Sequence, residues 1–122
     1  MNAKEINLKV RFLLEIFALI AFGFWGWELG EGWFRIVLAI GLPILFATIW
    51  GIFAVPDDPS RSGKAPVPVP GIIRLVIEWL FFALAAWVIY EIGHHKISLI
   101  FGGLVILHYI LSQDRIKWLL LH

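Results

Sequence analysis

Two hydrophobic segments of this chain each carry an arginine followed four residues later by a glutamate: Arg11 with Glu15, and Arg74 with Glu78. An i,i+4 spacing puts both members on one face of a helix. Apolar residues surround both pairs, and a charge at the centre of a bilayer costs roughly 2.5–3.5 kcal/mol on insertion scales. Arg11 and Arg74 stand near the segment starts, where a long stem lets the guanidinium reach a polar interface. Glu15 and Glu78 lie one turn deeper and need a partner or a proton. The cation is on the N-terminal side of each pair, the less favourable order for an isolated helix, so helix stabilisation alone does not explain the pattern. The expectation is that the two segments meet, with Arg11 reaching Glu78 and Arg74 reaching Glu15 in a network of four charges.

Other polar groups fall at a similar depth: Thr48 and Trp50 in a second segment, and His108, Tyr109 and Ser112 in a fourth. Together they define either a small polar cavity for a proton, a cation or a small solute, or an ion-pair core that fixes helix register. The second reading is preferred. A lone histidine such as His108 is more often hydrogen-bonded in a core than a ligand. His94 and His95 are adjacent in a turn and lack the further ligands a metal needs, so neither metal nor cofactor is expected. No Ser/His/Asp set or phosphate loop occurs, and no catalytic residue is assigned. An enzyme acting on lipid, with His108 as base, would lack a nucleophile.

The elements that position these residues follow from composition. Of 122 residues, 61% are hydrophobic and 16% charged, against about a quarter charged in an ordinary soluble domain. Mean hydropathy is +0.88. A soluble core of this size does not bury so much apolar surface, whereas a bilayer solvates it. Four apolar segments run about Ile6–Leu29, Trp33–Phe53, Ile72–Ile92 and Ile97–Leu111. A crossing takes ~20 residues. The fourth is short by that measure and is expected to continue through Ser112–Arg115 to Leu121 as one longer helix. Arg11 and Glu15 interrupt the apolar core that a signal peptide needs, so the first helix is expected to be retained. Net charge is +1 and cysteine is absent, which argues against nucleic acid as a partner and excludes disulfide and thiol chemistry. The expected surroundings are the lipid bilayer, with a second copy or another membrane protein as possible company.

Tight turns at residues 28–32 and 93–96 make two helical hairpins, joined by a polar stretch from Pro56 to Pro70 that ends in alternating prolines and favours extended chain. Offsetting the halves by 63 residues superimposes Arg11 on Arg74, Glu15 on Glu78, Glu28 on Glu91 and Gly30 on Gly93. The architecture expected is therefore an all-α integral membrane four-helix bundle. It consists of two tandem hairpins related by a pseudo-twofold axis along the membrane normal. Lys4, Lys9, Arg11, Arg61, Lys64, Arg74, Arg115 and Lys117 fall on one side and only Arg35 and Lys96 on the other. By the positive-inside rule both termini and the proline-rich loop are cytoplasmic. Trp25, Trp27, Trp33, Trp87 and Tyr90 would mark the outer interface, and Trp50, Tyr109 and Trp118 the inner one.

The run Trp50-Gly51-Ile52-Phe53-Ala54-Val55-Pro56 resembles the YrdB-like family of small bacterial membrane proteins, a domain of unknown function. There, a Trp-Gly-x-Phe stretch ends the second helix and proline follows closely. Arg11 with Glu15, Trp25-Gly26-Trp27 and Arg74 also fit the resemblance, which covers nearly the whole chain. Ala-Val-Pro-Asp-Asp stands where that family tends toward Val-Ala-Pro and a basic residue. The resemblance implies a four-helix protein of the bacterial cell membrane and no established activity. Topology reporters fused to either terminus should read cytoplasmic, and reporters inserted at residues 29–32 external; the opposite pattern would overturn the charge argument.

Overall fold

The computed structural model describes residues 3–58 and 65–122, with the side chains of Ala3 and Lys4 left out. Arg61 and Lys64, and the side chain of Lys4, which contribute to the charge asymmetry above, lie outside the described residues. The chain is all-α. Five helices are described: α1 (Ala3–Leu29), α2 (Phe34–Ile52), α3 (Gly71–Ile92), α4 (His95–Leu111) and α5 (Gln113–Leu121). Two short strands, β1 (Phe53–Ala54) and β2 (Val67–Pro68), pair in parallel. This bridge ties the proline-rich return to the end of α2, and the Val69 amide extends it by donating to the Ala54 carbonyl at 2.9 Å.

Packing follows the small and aromatic residues. α1 and α3 lie side by side and run in the same direction, since Arg11 meets Glu78 near their starts and Trp25 meets Trp87 near their ends. Ala18 and Phe22 of α1 and Phe82, Ala85 and Val88 of α3 are buried between them. α2 returns antiparallel along α1, with Phe46 stacked on Phe22 at 4.2 Å. α4 returns along α3 and reaches α1 at its far end, where the Asn7 amide donates to the Leu111 carbonyl. α3 closes on Gly93, whose φ of 109° is open to glycine at little cost. The Gly93 and His94 amides turn back onto the carbonyls of Tyr90 and Ile89.

The outer surface is apolar. No residue of α2 is buried, and Phe12, Phe24, Ile40, Ile44, Leu99 and Ile106 all face outward. Among the described residues, α2 and α3 are long and apolar enough to cross a membrane, and α4 with α5 makes a third if the bent pair is one span.

The fourth segment departs from expectation. Instead of continuing through Ser112, the helix stops at Leu111 and the axis turns by 68° into α5. Ser112 leaves the helical region at φ −109°, ψ 36°. The bend carries α5 beneath the start of α3, burying Leu119 completely. A Cβ built on Gly71 would lie 1.5 Å from the Leu119 carbonyl oxygen, so the two backbones approach to a distance only glycine permits. Gly71→Ala should therefore lift α5 off α3 at a cost of about 1–3 kcal/mol. Amide exchange should accelerate across residues 113–121 while α1 and α2 stay protected; unchanged exchange in α5 would contradict this contact.

Candidate functional site: an ion cluster on Glu78

Glu78 is fully buried. Its Oε2 accepts from Arg74 Nε at 2.9 Å, from Arg11 Nη2 at 2.9 Å and from Arg115 Nη2. Its Oε1 accepts from the Tyr109 hydroxyl at 2.7 Å. Four elements thus send a donor to one carboxylate: α1, α3 itself, α4 and α5. Charge-assisted bonds of this kind are short and strong, and they replace the hydration that burial removes.

Each arginine also holds something else. Arg74 Nη1 donates to the carbonyls of Trp50 and Phe53, the latter at 2.8 Å. The last carbonyls of a helix have no partner within it, so Arg74 caps α2 while neutralising Glu78. The Trp50 indole lies over Arg74 at 4.4 Å and Arg11 at 5.1 Å, offering its negative face to both cations. Arg115 Nη1 bonds Asp58 Oδ1 at 2.7 Å, and Arg11 Nε bonds Glu15 Oε1 at 3.1 Å. Arg11, Arg74 and Arg115 are balanced by Glu15, Glu78 and Asp58.

The arrangement is less symmetric than the repeat suggests. Arg11 meets Glu78, but Arg74 pairs with Glu78 on its own helix and makes no hydrogen bond to Glu15. Among the described residues Glu15 takes a hydrogen bond from Arg11 alone, with Arg74 acting on it at longer range, and its side chain is 21% exposed against 0% for Glu78. Thr48 stands apart: it is exposed, and its hydroxyl donates to the Ile44 carbonyl at 2.7 Å, the back-bond that helical threonines commonly make. His108 is buried, lies within electrostatic reach of Arg11, and packs edge-on to Tyr109, but neither ring nitrogen has a hydrogen-bond partner. Trp50 and Tyr109, read from the sequence as lying at the depth of the Arg/Glu pairs, are both in the cluster.

The motif around Trp50 gains a physical meaning here. Trp50 supplies a ring and a carbonyl, and Phe53 supplies a carbonyl and the first bridge residue. Pro56 opens a turn in which the Asp58 amide donates to the Val55 carbonyl, with Asp57 at φ 63°. Proline followed by a left-handed residue is type II turn chemistry. The turn delivers the buried Asp58 to Arg115. A Cβ at Gly51 would meet nothing within 4 Å, so space does not explain that glycine.

Asp58 and Arg115 are the site residues that sequence reasoning missed. Asp58 reads as one of two turn aspartates, and Arg115 as an orienting charge. The available signal was that Arg115 has no acidic residue three or four positions away on its own helix face, although polar residues surround it in sequence. Two grooves on the molecule are mostly apolar, and one of them touches the cluster through Tyr109, which lines it. One of about 540 Å³ runs between α3, α4 and α5 past Phe82, Gly102 and Ile116, and another of about 210 Å³ lies at the far end near Phe17 and Ile97. Neither is lined by Glu15 or Glu78.

Fold and site together define an all-α chain with an apolar exterior whose buried polar chemistry is gathered on one carboxylate. The chain belongs to the DUF2568 family of proteins of unknown function, whose profile matches residues 9–106. That stretch includes Arg11, Glu15, Asp58, Arg74 and Glu78 and ends before Tyr109 and Arg115. The chain is 49% identical over 116 residues to the uncharacterized protein YrdB of Bacillus subtilis (strain 168), covering 95% of this chain and 94% of that protein. No solved structure matches it significantly.

Glu78→Gln leaves buried guanidinium groups without their counter-charge and should cost about 3–5 kcal/mol. Glu15→Gln removes a partly exposed partner and should cost under about 1 kcal/mol. Thermal unfolding in detergent separates them, and equal losses would show that burial does not set the ranking.

Proposed function

We propose that this protein is a small, non-enzymatic integral membrane protein in which the Glu78 ion cluster organises the helices. In this reading α1, α2, α3 and the α4–α5 pair cross the bacterial cell membrane as a four-helix bundle with both termini cytoplasmic. Two observations support the membrane assignment: α2 buries none of its residues against the rest of the chain, and the outward faces of α1, α3 and α4 are equally apolar. Parallel α1 and α3, each with its own antiparallel neighbour, support a duplicated hairpin about an axis along the membrane normal.

The observation that carries the organising role is the saturation of Glu78. Its oxygens accept from Arg11, Arg74, Arg115 and Tyr109, and the side chain has no exposure. A carboxylate so enclosed fixes helix positions and leaves no room for a transported ion. The alternative, transport by protonation or cation binding at Glu15 and Glu78 in a cytoplasm-facing cavity, draws no support from the apolar grooves. The open face of α2 suits a second copy or another membrane protein, because lipid and protein solvate such a surface alike.

Alkaline carbonate strips peripheral proteins and leaves spanning ones behind. The full chain should stay in the carbonate-washed pellet and leave it only with detergent. Recovery in the carbonate supernatant would overturn the membrane reading.

A further inference from the structure

The break between α4 and α5 has only a weak local cause: Ser112 is an N-cap residue type with Asp114 in the turn that follows, but its side chain makes no capping hydrogen bond. From Leu104 to His122 the sequence contains neither glycine nor proline, the residues that ordinarily kink or end a helix. Read locally, His95–Leu121 is one helix, and at ~1.5 Å per residue it would extend about 40 Å, the same as α1. The bent form also leaves something unmet. Ser112 is buried at 8% exposure, and its hydroxyl has no hydrogen-bond partner. In a continuous helix that hydroxyl finds the His108 carbonyl one turn back.

Tertiary contacts oppose the local preference. Arg115 lies three residues past the break and is clasped by Glu78 on α3 and Asp58 in the turn after α2. Four residues further on, Leu119 seats against Gly71. Straightening the helix at Ser112 swings both away. Glu78 would keep Arg11, Arg74 and Tyr109, so the rest of the cluster survives the loss of Arg115.

We propose that Ser112 is a two-state hinge, with Arg115 latching the bent form between Glu78 and Asp58 and a continuous α4–α5 helix forming when the latch opens. The bent form alone brings Gln113 and Ile116 into the lining of the 540 Å³ groove between α3, α4 and α5, so the hinge also makes and unmakes that groove. α5 is suited to the change, since its Gln113, Asp114 and Lys117 are already exposed and lose no partner on moving. The inference rests on the contacts of Arg115 and stands whether or not the chain associates with itself.

The chain has no native cysteine, so spin labels at Leu99→Cys and Leu120→Cys, both exposed positions, report the hinge without background. With a 68° bend their Cα atoms are about 26 Å apart, and in a continuous helix about 32 Å. Electron–electron resonance on the full chain in nanodiscs should give mainly the shorter distance. Asp58→Asn and Arg115→Gln should each raise the longer fraction at least fivefold, with Arg115→Lys in between. If Arg115→Gln compromises folding, Asp58→Asn still decides the matter, because it leaves Glu78 with Arg11, Arg74 and Tyr109. A distribution unchanged by Asp58→Asn, or a wild-type chain already at the longer distance, would overturn the hinge.

Discussion

A carboxylate taken out of water must find inside the protein what water supplied, and Glu78 is in that position. The stabilisation it needs is several kcal/mol, so a single poorly placed partner would not hold it charged. Arg11, Arg74 and Arg115 donate to it together with Tyr109, and in the proposed reading those demands fix where their helices run. α1 must lie beside α3 at the height of Arg11, α4 must present Tyr109 on its inner face, and the chain after α4 must turn back to bring Arg115 into range. Trp50 then covers two of the cations with its ring.

The same constraint accounts for features that look unrelated along the chain. Arg74 bonds the carbonyls that end α2, which couples the first hairpin to the second through one side chain. The turn at Pro56 and the parallel bridge from Phe53 to Val67 hold the connecting segment so that Asp58 meets Arg115. The sequence carries two Arg/Glu pairs at the same i,i+4 spacing, and the fold puts them to unequal use. One glutamate is the buried centre of the cluster and the other a partly exposed partner of Arg11. The difference comes from the surroundings, since Glu78 has Tyr109 and Arg115 opposite it, and among the described residues hydrogen bonds to Glu15 come from Arg11 alone.

The helical elements were legible because hydrophobic runs of the right length, bounded by glycine-rich turns, leave few alternatives. Arg11, Glu15, Arg74, Glu78 and Tyr109 could be named because charges and hydroxyls in such runs need partners. What could not be read was the pairing. Arg74 has Glu78 four residues away and could equally be read as reaching Glu15 across an interface, and Arg115 reaches Glu78 only because the helix breaks at Ser112. That break is marked in the sequence only by Ser112 with Asp114 behind it, a helix-start pattern that a continuous helix also accommodates. Asp58 was hidden for a related reason: an aspartate after proline in a polar loop looks the same whether its turn faces water or a buried arginine. Thr48 errs the other way, a polar side chain at the right depth that satisfies itself on its own helix.

Coupling energies among these charges test the account most directly, because they measure partnership rather than mere presence. Double-mutant cycles read by unfolding in detergent would pair Glu78→Gln with Arg11→Gln, Arg74→Gln and Arg115→Gln in turn, and Glu15→Gln with Arg74→Gln. A single buried centre predicts coupling of about 1–3 kcal/mol in each of the first three cycles and under about 0.5 kcal/mol in the fourth. Coupling between Glu15 and Arg74 as large as that between Glu78 and Arg11 would contradict it, and would mean that the two halves share the load symmetrically.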